Sequence, residues 1–310
     1  MEINNILVVS PMFKQLQQLI EAEKLQKQFR YSSEQDFNKE ALAWADALVA
    51  FNLKDNFDYS HVKWVHSLGA GVDRFLYQKK WDENVLLTRT ICSFGQRIAQ
   101  YCLSYILKDI QLHDTFHKNQ LQKRWEPKTP KLLQEHKVMI FGTGEIGQTV
   151  AKIFSELGMT VYGVSLSGAQ KVSFHEVLTM ENFHSHLSDV NYIINTMPLT
   201  EKTSGFFNED FFKCVHEAGF INVGRGASVN ERALLEAIGQ KRIKFAVLDV
   251  FSVEPLSIES LLWEQDNVYI TPHISAVTTP EEGFACFIQT LNNIENNLPL
   301  NNQVDVKKGY

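Results

Sequence analysis

Three side chains in the second half of this 310-residue chain have the types and spacing to move a proton beside an anion: Arg225, Glu254 and His273. Each stands just past a predominantly apolar run. Arg225 follows Ile221-Asn222-Val223-Gly224, Glu254 follows a run ending Asp249-Val250-Phe251, and His273 follows Tyr269-Ile270-Thr271-Pro272. If those runs are strands of one parallel sheet, all three lie at its carboxyl edge, where such sheets bind ligands. An arginine clamps a carboxylate with two parallel N–H bonds and polarises a neighbouring carbonyl. A histidine, with an ordinary pKa near neutrality, both gives and takes a proton at physiological pH. A glutamate paired with it favours the charged ring and fixes its orientation. Singly, each has a bland reading: a solvated arginine, a turn glutamate before Pro255, one of ten histidines. Their convergence on one edge is what points to a site.

A second motif supplies a reagent for that proton. Gly142-Thr143-Gly144-Glu145-Ile146-Gly147 is G-x-G-x-x-G, directly after the apolar run Val138–Phe141 and before a helical pattern from Gln148. In that context the first glycine permits a tight turn, the second lets a pyrophosphate reach the backbone, and the third lets helix and strand pack. The helix N-terminus then offers free N–H groups and partial positive charge to the phosphates. The motif predicts dinucleotide binding. An NAD-binding unit places an acid at the end of the next strand, for the ribose hydroxyl. Here that strand ends Val164-Ser165-Leu166-Ser167, with no carboxylate. Ser165 and Ser167 can donate to a 2′-phosphate, so NADP(H) is favoured and NAD(H) allowed. A hydride source, a proton donor and a carboxylate anchor together suit reduction of a small 2-oxo acid.

The elements that must position these residues follow from apolar periodicity. Short runs at Ile6–Val9, Ala47–Phe51 and Val62–Leu68 read as strands, with a helix over Lys14–Phe29 after the first. Ile98, Cys102, Tyr105, Ile106 and Ile110 mark one face of a long helix over Ile98–Arg124, ended by Trp125-Glu126-Pro127. From Lys137 onward, strands at Val138–Phe141, Thr160–Val164, Tyr192–Thr196, Gly219–Val223, Phe245–Val250 and Val268–Thr271 alternate with helical patterns. Near-continuous apolar strands of this kind build a parallel sheet covered on both faces. The expected fold class is α/β, a Rossmann-type doubly wound sheet with a second, smaller α/β domain.

Composition narrows the alternatives. With 44% hydrophobic and 21% charged residues, Gly 16 and Pro 8, the chain is neither disordered nor collagenous. A net charge of −6 without a basic stripe argues against nucleic acid as a partner. The four cysteines form no C-x-x-C pair, so neither a zinc motif nor a disulfide framework is expected. His113 and His117 are one helical turn apart but lack a third ligand, and no metal site is expected. Met1-Glu2-Ile3-Asn4-Asn5 lacks a basic leader region, and no apolar stretch is long enough to span a membrane. The expected address is cytoplasmic.

Taken jointly, four segments resemble the D-isomer-specific 2-hydroxyacid dehydrogenase family over nearly the whole chain. They are Gly142–Gly147, Asn222-Val223-Gly224-Arg225-Gly226, Asp249-Val250-Phe251-Ser252-Val253-Glu254-Pro255 and Thr271-Pro272-His273. Within that family the chain is most similar to the glyoxylate/hydroxypyruvate reductase A type. The resemblance implies that Arg225, Glu254 and His273 are catalytic. It implies that Leu68, Gly69, Ala70 and Gly71, in His66–Asp73, hold the substrate carboxylate through backbone N–H groups. Thr196, Met197, Pro198, Val223, Gly224, Asp249 and Ser275 are implied to line the cofactor. It further implies a flavodoxin-like substrate domain from residues 1–97 and 280–310, a dinucleotide-binding domain over 98–279, and a homodimer built largely through the dinucleotide-binding domains and the long helix. Other readings are a related dehydrogenase, such as one for phosphoglycerate, and a non-catalytic NAD(P)-sensing binding protein.

Overall fold

The computed structural model describes residues 1–51, 53 and 57–310. The chain divides into two units, Met1–Phe94 with Val277–Tyr310, and Gly95–Ala276. Unit 1 opens with β1 (Asn5–Val9), α1 (Phe13–Ala22), β2 (Gln28–Ser32), α2 (Lys39–Trp44), β3 (Ala47–Ala50), β4 (Trp64–Ser67), α3 (Asp73–Leu76) and β5 (Leu86–Arg89). Next come α4 (Phe94–Ile110), α5 (His113–Leu121), β6 (Lys137–Phe141), α6 (Glu145–Glu156), β7 (Thr160–Ser165) and β8 (Glu176–Thr179). Then follow α7 (His184–Leu187), β9 (Tyr192–Asn195), α8 (Glu209–Lys213), β10 (Ala218–Asn222), α9 (Glu231–Gly239), β11 (Ile243–Leu248) and β12 (Val268–Ile270). The chain returns to unit 1 as α10 (Pro280–Glu295).

Unit 1 is a five-stranded parallel sheet of order β2-β1-β3-β4-β5, the flavodoxin-like order. Alternation puts Leu7, Val9 and Leu48 in one apolar cluster and Ile6, Val8 and Trp64 in another. The second cluster is closed by α10, which contributes Phe287, Leu291 and Ile294. Phe287 stacks on Trp64 with ring centroids 5.7 Å apart. Each such buried side chain contributes roughly 1.5–3 kcal/mol. A capping box between Thr279 and Glu282, with Pro280 next to the cap, starts α10 sharply.

Unit 2 is a seven-stranded parallel sheet of order β12-β11-β10-β9-β6-β7-β8. Counted within the unit, its first six strands follow the Rossmann order, and the order reverses between β6 and β9. Val138, Met139, Ile140 and Phe141 of the central β6 are all fully buried. Phe141, Phe207, Phe211 and Phe220 pack edge to face on one side, which absorbs the phenylalanine pairs of that region.

The structure corrects three sequence expectations. The helix over Lys14–Phe29 ends at Ala22, because Gln28–Ser32 pairs with β1 as a strand. The long helix over Ile98–Arg124 is two helices, α4 and α5, joined at Leu112, whose φ is +58°. The apolar stripe stops at Ile110 and no residue of α5 is buried; α5 is held by polar contacts instead, Asp114 accepting from Lys108 Nζ of α4 at 2.6 Å and from the Tyr269 hydroxyl at 2.8 Å. The units exchange at Phe94/Gly95 and Ala276/Val277 rather than at 97/98 and 279/280. At the first exchange α4 already starts at Phe94; at the second, Thr278 Oγ1 donates to Leu68 O within unit 1. Among the described residues no two cysteines form a disulfide, no cluster could hold a metal ion, and no helix is long and apolar enough to cross a membrane.

Candidate active site

The glycine loop occupies the switch point of unit 2, between β6 and α6. Gly142 has φ +98°, which disfavours any side chain. Gly144 caps α6, and a Cβ built there would meet nothing within 4 Å, so open space faces the first turn of a twelve-residue helix. Gly147 is different: a Cβ there would lie 1.9 Å from Gly142 O. The loop thus closes tightly on itself and leaves its outer face for a ligand, which fits a pyrophosphate. Gly147→Ala should weaken NADPH binding by at least about tenfold, because overpacking of this kind forces a backbone shift. A fluorescence titration within twofold of wild type would refute the packing role.

Beside the loop, Thr196 Oγ1 donates to Phe141 O and Gly142 O at 3.0 and 3.1 Å. Met197 is buried, and Pro198 O accepts from Thr203 Oγ1 at 2.7 Å. At the end of β7, Ser165 Oγ accepts from Gly168 N–H and Ser167 Oγ from Ala169 N–H, at 3.2 and 3.3 Å. Each hydroxyl keeps a proton to donate.

Arg225, Glu254 and His273 follow β10, β11 and β12, neighbours in the sheet. His273 Nδ1 lies 3.0 Å from Glu254 Oε2, and Phe251 N–H donates to Glu254 Oε1 at 3.0 Å. Burial pushes the Glu254 pKa up. The hydrogen bonds from His273 and Phe251 and the charges of His273 and Arg225 outweigh this and hold it below the usual range. Glu254 is therefore a carboxylate facing the imidazole, and Arg225 is close enough to act on it. With Nδ1 turned to Glu254, Nε2 is the nitrogen left for a reacting atom.

A buried framework that sequence reading did not find holds these groups. Asn195 Nδ2 donates to Asn222 Oδ1 and Ser228 Oγ, both at 2.8 Å, while its Oδ1 accepts from Met197 N–H at 3.0 Å. Asn222 Nδ2 and Ser228 Oγ both donate to Arg225 O, and Asn222 Oδ1 accepts from Gly224 N–H. One network thus sets the Met197 turn and the Val223-Gly224-Arg225 turn together. Gly226 cannot carry a side chain, since a Cβ would lie 1.9 Å from the Phe251 carbonyl carbon. Asp249, fully buried, does the same for His273. Its carboxylate accepts from Thr271 Oγ1, Ile274 N–H and Ser275 N–H at 2.6, 2.8 and 2.9 Å, and its carbonyl accepts from His273 N–H at 2.8 Å. Those contacts hold His273 at φ +56°. Asp249 and Ser275 are thus framework for the histidine as well as candidate cofactor neighbours.

In unit 1, Leu68–Gly71 follows β4. The four residues differ. Leu68 is fully buried and its N–H donates to Ala50 O at 2.9 Å, while Gly69 N–H faces Ser67 Oγ at 3.3 Å. Among the described residues, the Ala70 and Gly71 N–H groups donate to nothing, so they are the donors left for an anion. Beneath them, burial pushes His66 down to about 3 from an ordinary 6.5. An unfolded chain takes up this proton below 6.5, whereas the folded one refuses it until about 3. The stability His66 contributes by staying neutral is complete above 6.5 and is lost as pH falls across that window. His66→Phe should flatten the fall of the urea midpoint between those pH values; an unchanged slope would contradict it.

A doubly wound sheet with a glycine loop at its switch point, beside a paired histidine and glutamate, is the architecture of a dinucleotide-dependent dehydrogenase. Residues 103–275 match the family model for the D-isomer specific 2-hydroxyacid dehydrogenase NAD binding domain. A glyoxylate/hydroxypyruvate reductase A of Salmonella newport is 32% identical over 256 residues, covering 80% of this chain and 82% of that one. Among solved structures, a D-isomer specific 2-hydroxyacid dehydrogenase from Xanthobacter autotrophicus in complex with NADPH and MES superposes with TM-score 0.86 at 26% identity, covering 100% of both chains. An NADPH-dependent glyoxylate/hydroxypyruvate reductase from Sinorhizobium meliloti, in complex with NADP and sulfate, gives TM-score 0.86 at 26% identity over 99% of this chain and 100% of that one. The chain belongs to the D-isomer specific 2-hydroxyacid dehydrogenase family.

Proposed function

We propose that this protein is an NADPH-dependent reductase of small 2-oxo acids, with glyoxylate and hydroxypyruvate the leading substrates. The product is the 2-hydroxy acid, of D configuration where it is chiral. The observation that carries this reading is the His273–Glu254 pair at 3.0 Å, on the same sheet edge as Arg225 and the glycine loop. NADP-bound relatives of the same fold support the cofactor.

Gly142–Gly147 and the start of α6 hold the cofactor pyrophosphate, and Ser165 and Ser167 take the 2′-phosphate. Thr196, Met197, Pro198, Val223, Gly224, Asp249 and Ser275 line the remainder. NADPH, when bound, supplies the hydride. In unit 2, Arg225 holds the substrate carboxylate and polarises the carbonyl; in unit 1, the Ala70 and Gly71 N–H groups of the Leu68–Gly71 loop are donors for a carboxylate. His273 gives its Nε2 proton to the carbonyl oxygen as the hydride reaches the carbon. With Nδ1–H given to the Glu254 carboxylate, the donor is the imidazolium, which that carboxylate favours; loss of the Nε2 proton leaves the neutral Nδ1–H ring still bonded to Glu254.

The test is a panel of 2-oxo acids with NADPH and with NADH, followed by nicotinamide absorbance. Oxidation of NADPH by glyoxylate or hydroxypyruvate, faster than that of NADH, is expected. Tight cofactor binding with no oxidation across the panel would instead indicate a cofactor-sensing binding protein. The proposal also includes a cytoplasmic homodimer. Trp125 is 98% exposed and Leu121 72% exposed, beside a helix α5 that buries nothing. We infer that this exposed apolar pair, beside a helix with no buried residue, faces a second copy of the chain. Sedimentation should show a dimer that Trp125→Ser weakens; a wild-type monomer at micromolar concentration would end this part.

A further inference from the structure

Under the Leu68–Gly71 loop lies a hydrogen-bonded row made of Trp64, His66, Ser67, Thr88 and Thr90, all fully buried. Trp64 Nε1–H donates to Thr88 Oγ1 at 2.8 Å. Thr88 Oγ1 lies 2.8 Å from His66 Nδ1, and His66 Nε2 lies 3.3 Å from Thr90 Oγ1. Thr90 Oγ1 donates to Ser67 O at 3.0 Å.

The directions of these bonds follow from the donor inventory. An indole N–H only donates, so Thr88 Oγ1 accepts from it. The Thr88 hydroxyl proton has one acceptor among the described residues, His66 Nδ1. The ring is therefore neutral with its proton on Nε2, and that proton goes to Thr90 Oγ1. The Thr90 proton ends on the Ser67 carbonyl. Among the described residues no buried side-chain polar atom is left without a partner. The row runs one way, from an indole on β4 to the peptide that opens the loop.

That peptide is gripped at both ends. Its carbonyl accepts from Thr90 Oγ1 and Thr90 N–H, and its N–H, that of Leu68, donates to Ala50 O. Ser67 Oγ then lies 3.2 Å from both Gly69 O and Gly71 O and pins the turn. The peptide planes that aim the Ala70 and Gly71 N–H groups are thereby set from below.

We propose that His66 is a positioning residue: its Nε2–H tautomer, relayed through Thr90, orients the Ala70 and Gly71 N–H groups toward a substrate carboxylate. The inference rests on the reading of Leu68–Gly71 as the carboxylate loop. Histidine suits the task because one ring both accepts and donates across its width. A phenylalanine of similar size keeps the packing on Trp64 and Phe287 but leaves both threonine hydroxyls without their partner.

The experiment measures glyoxylate KM, kcat and NADPH Kd for His66→Phe, Thr90→Val and Thr90→Ser. His66→Phe and Thr90→Val should each raise KM about tenfold, with kcat and NADPH Kd within about twofold. Thr90→Ser keeps the hydroxyl and should restore KM. If His66→Phe does not fold, the Thr90 pair decides alone, since valine matches threonine in shape. A lowered unfolding midpoint with unchanged KM in Thr90→Val would overturn the inference and leave the row purely structural. Ala70→Pro, which deletes one loop donor, tests the loop reading separately, with Gly71→Pro in its place if it misfolds. Raised KM there with unchanged KM in Thr90→Val defeats the relay alone. Unchanged KM there defeats the loop reading, and the relay with it.

Discussion

His273→Ala should lower kcat by about 10²- to 10⁴-fold, the usual contribution of a positioned general acid, while NADPH Kd stays within about twofold. The Nδ1 of the ring is committed to Glu254, so one nitrogen remains for chemistry, and alanine removes it. The main chain there is held by Asp249 from several directions, so the loop keeps its shape without the imidazole. The backbone φ of +56° makes His273→Asn an informative companion, since asparagine tolerates that region better than most residues. If the asparagine and alanine variants lose kcat equally, the loss belongs to the proton donor and not to loop strain. Glu254→Gln should lose less, because it leaves the ring in place but removes the charge facing it. Near-normal turnover of His273→Ala with glyoxylate would remove this residue from the acid role.

Arg225→Ala should lower kcat/KM by about 10²- to 10³-fold, with KM raised and kcat reduced together. The backbone of Arg225 is held by Asn222 and Ser228 through its carbonyl, so truncating the side chain removes the Nη1 bond to Gly224 O at 2.7 Å but keeps that anchor of the turn. What is lost is the guanidinium, a planar donor for a carboxylate. Arg225→Lys keeps the charge but not the fork and should recover only part of the loss. A second signature is electrostatic. Arg225 helps hold Glu254 below the usual carboxylate range, so its removal should let the Glu254 pKa rise. A KM for glyoxylate equal to that of wild type would exclude Arg225 as the anchor.

Much of unit 2 was legible in the sequence because its strands are buried on both faces and read as unbroken apolar runs. The glycine loop and the Arg225, Glu254 and His273 positions followed, since each adjoins such a run. Unit 1 was less legible. The strand Gln28–Ser32 alternates polar and half-buried residues directly after a helix, and only its pairing with β1 shows it to be a strand. Neither Glu176–Thr179 nor Leu86–Arg89 was found; both are four-residue strands at sheet edges. The break at Leu112 carries no proline or glycine to announce it. The framework of Asn195, Asn222 and Ser228 was invisible because its members, the last residues of β9 and β10 and one from the turn after β10, are far apart in the chain and meet only when β9 and β10 pair. The inequality among Leu68, Gly69, Ala70 and Gly71 was likewise hidden, since it depends on which N–H groups the strand ladder and Ser67 already use.

The interruption of unit 1 by unit 2 has a consequence for how the protein is made. On the ribosome β1 to β5 emerge first, but α10, which covers the Trp64 side of their sheet, emerges only after all of Gly95–Ala276. Unit 2 is contiguous and completes its core as it is synthesised. Until Phe287, Leu291 and Ile294 arrive, Ile6, Val8 and Trp64 of the earlier unit have only the α1 part of their cover, Leu16 and Ile20. The unit begun first is thus completed last, and the nascent chain keeps part of an apolar face open, one that a holding chaperone would protect, for as long as the middle of the protein takes to be made.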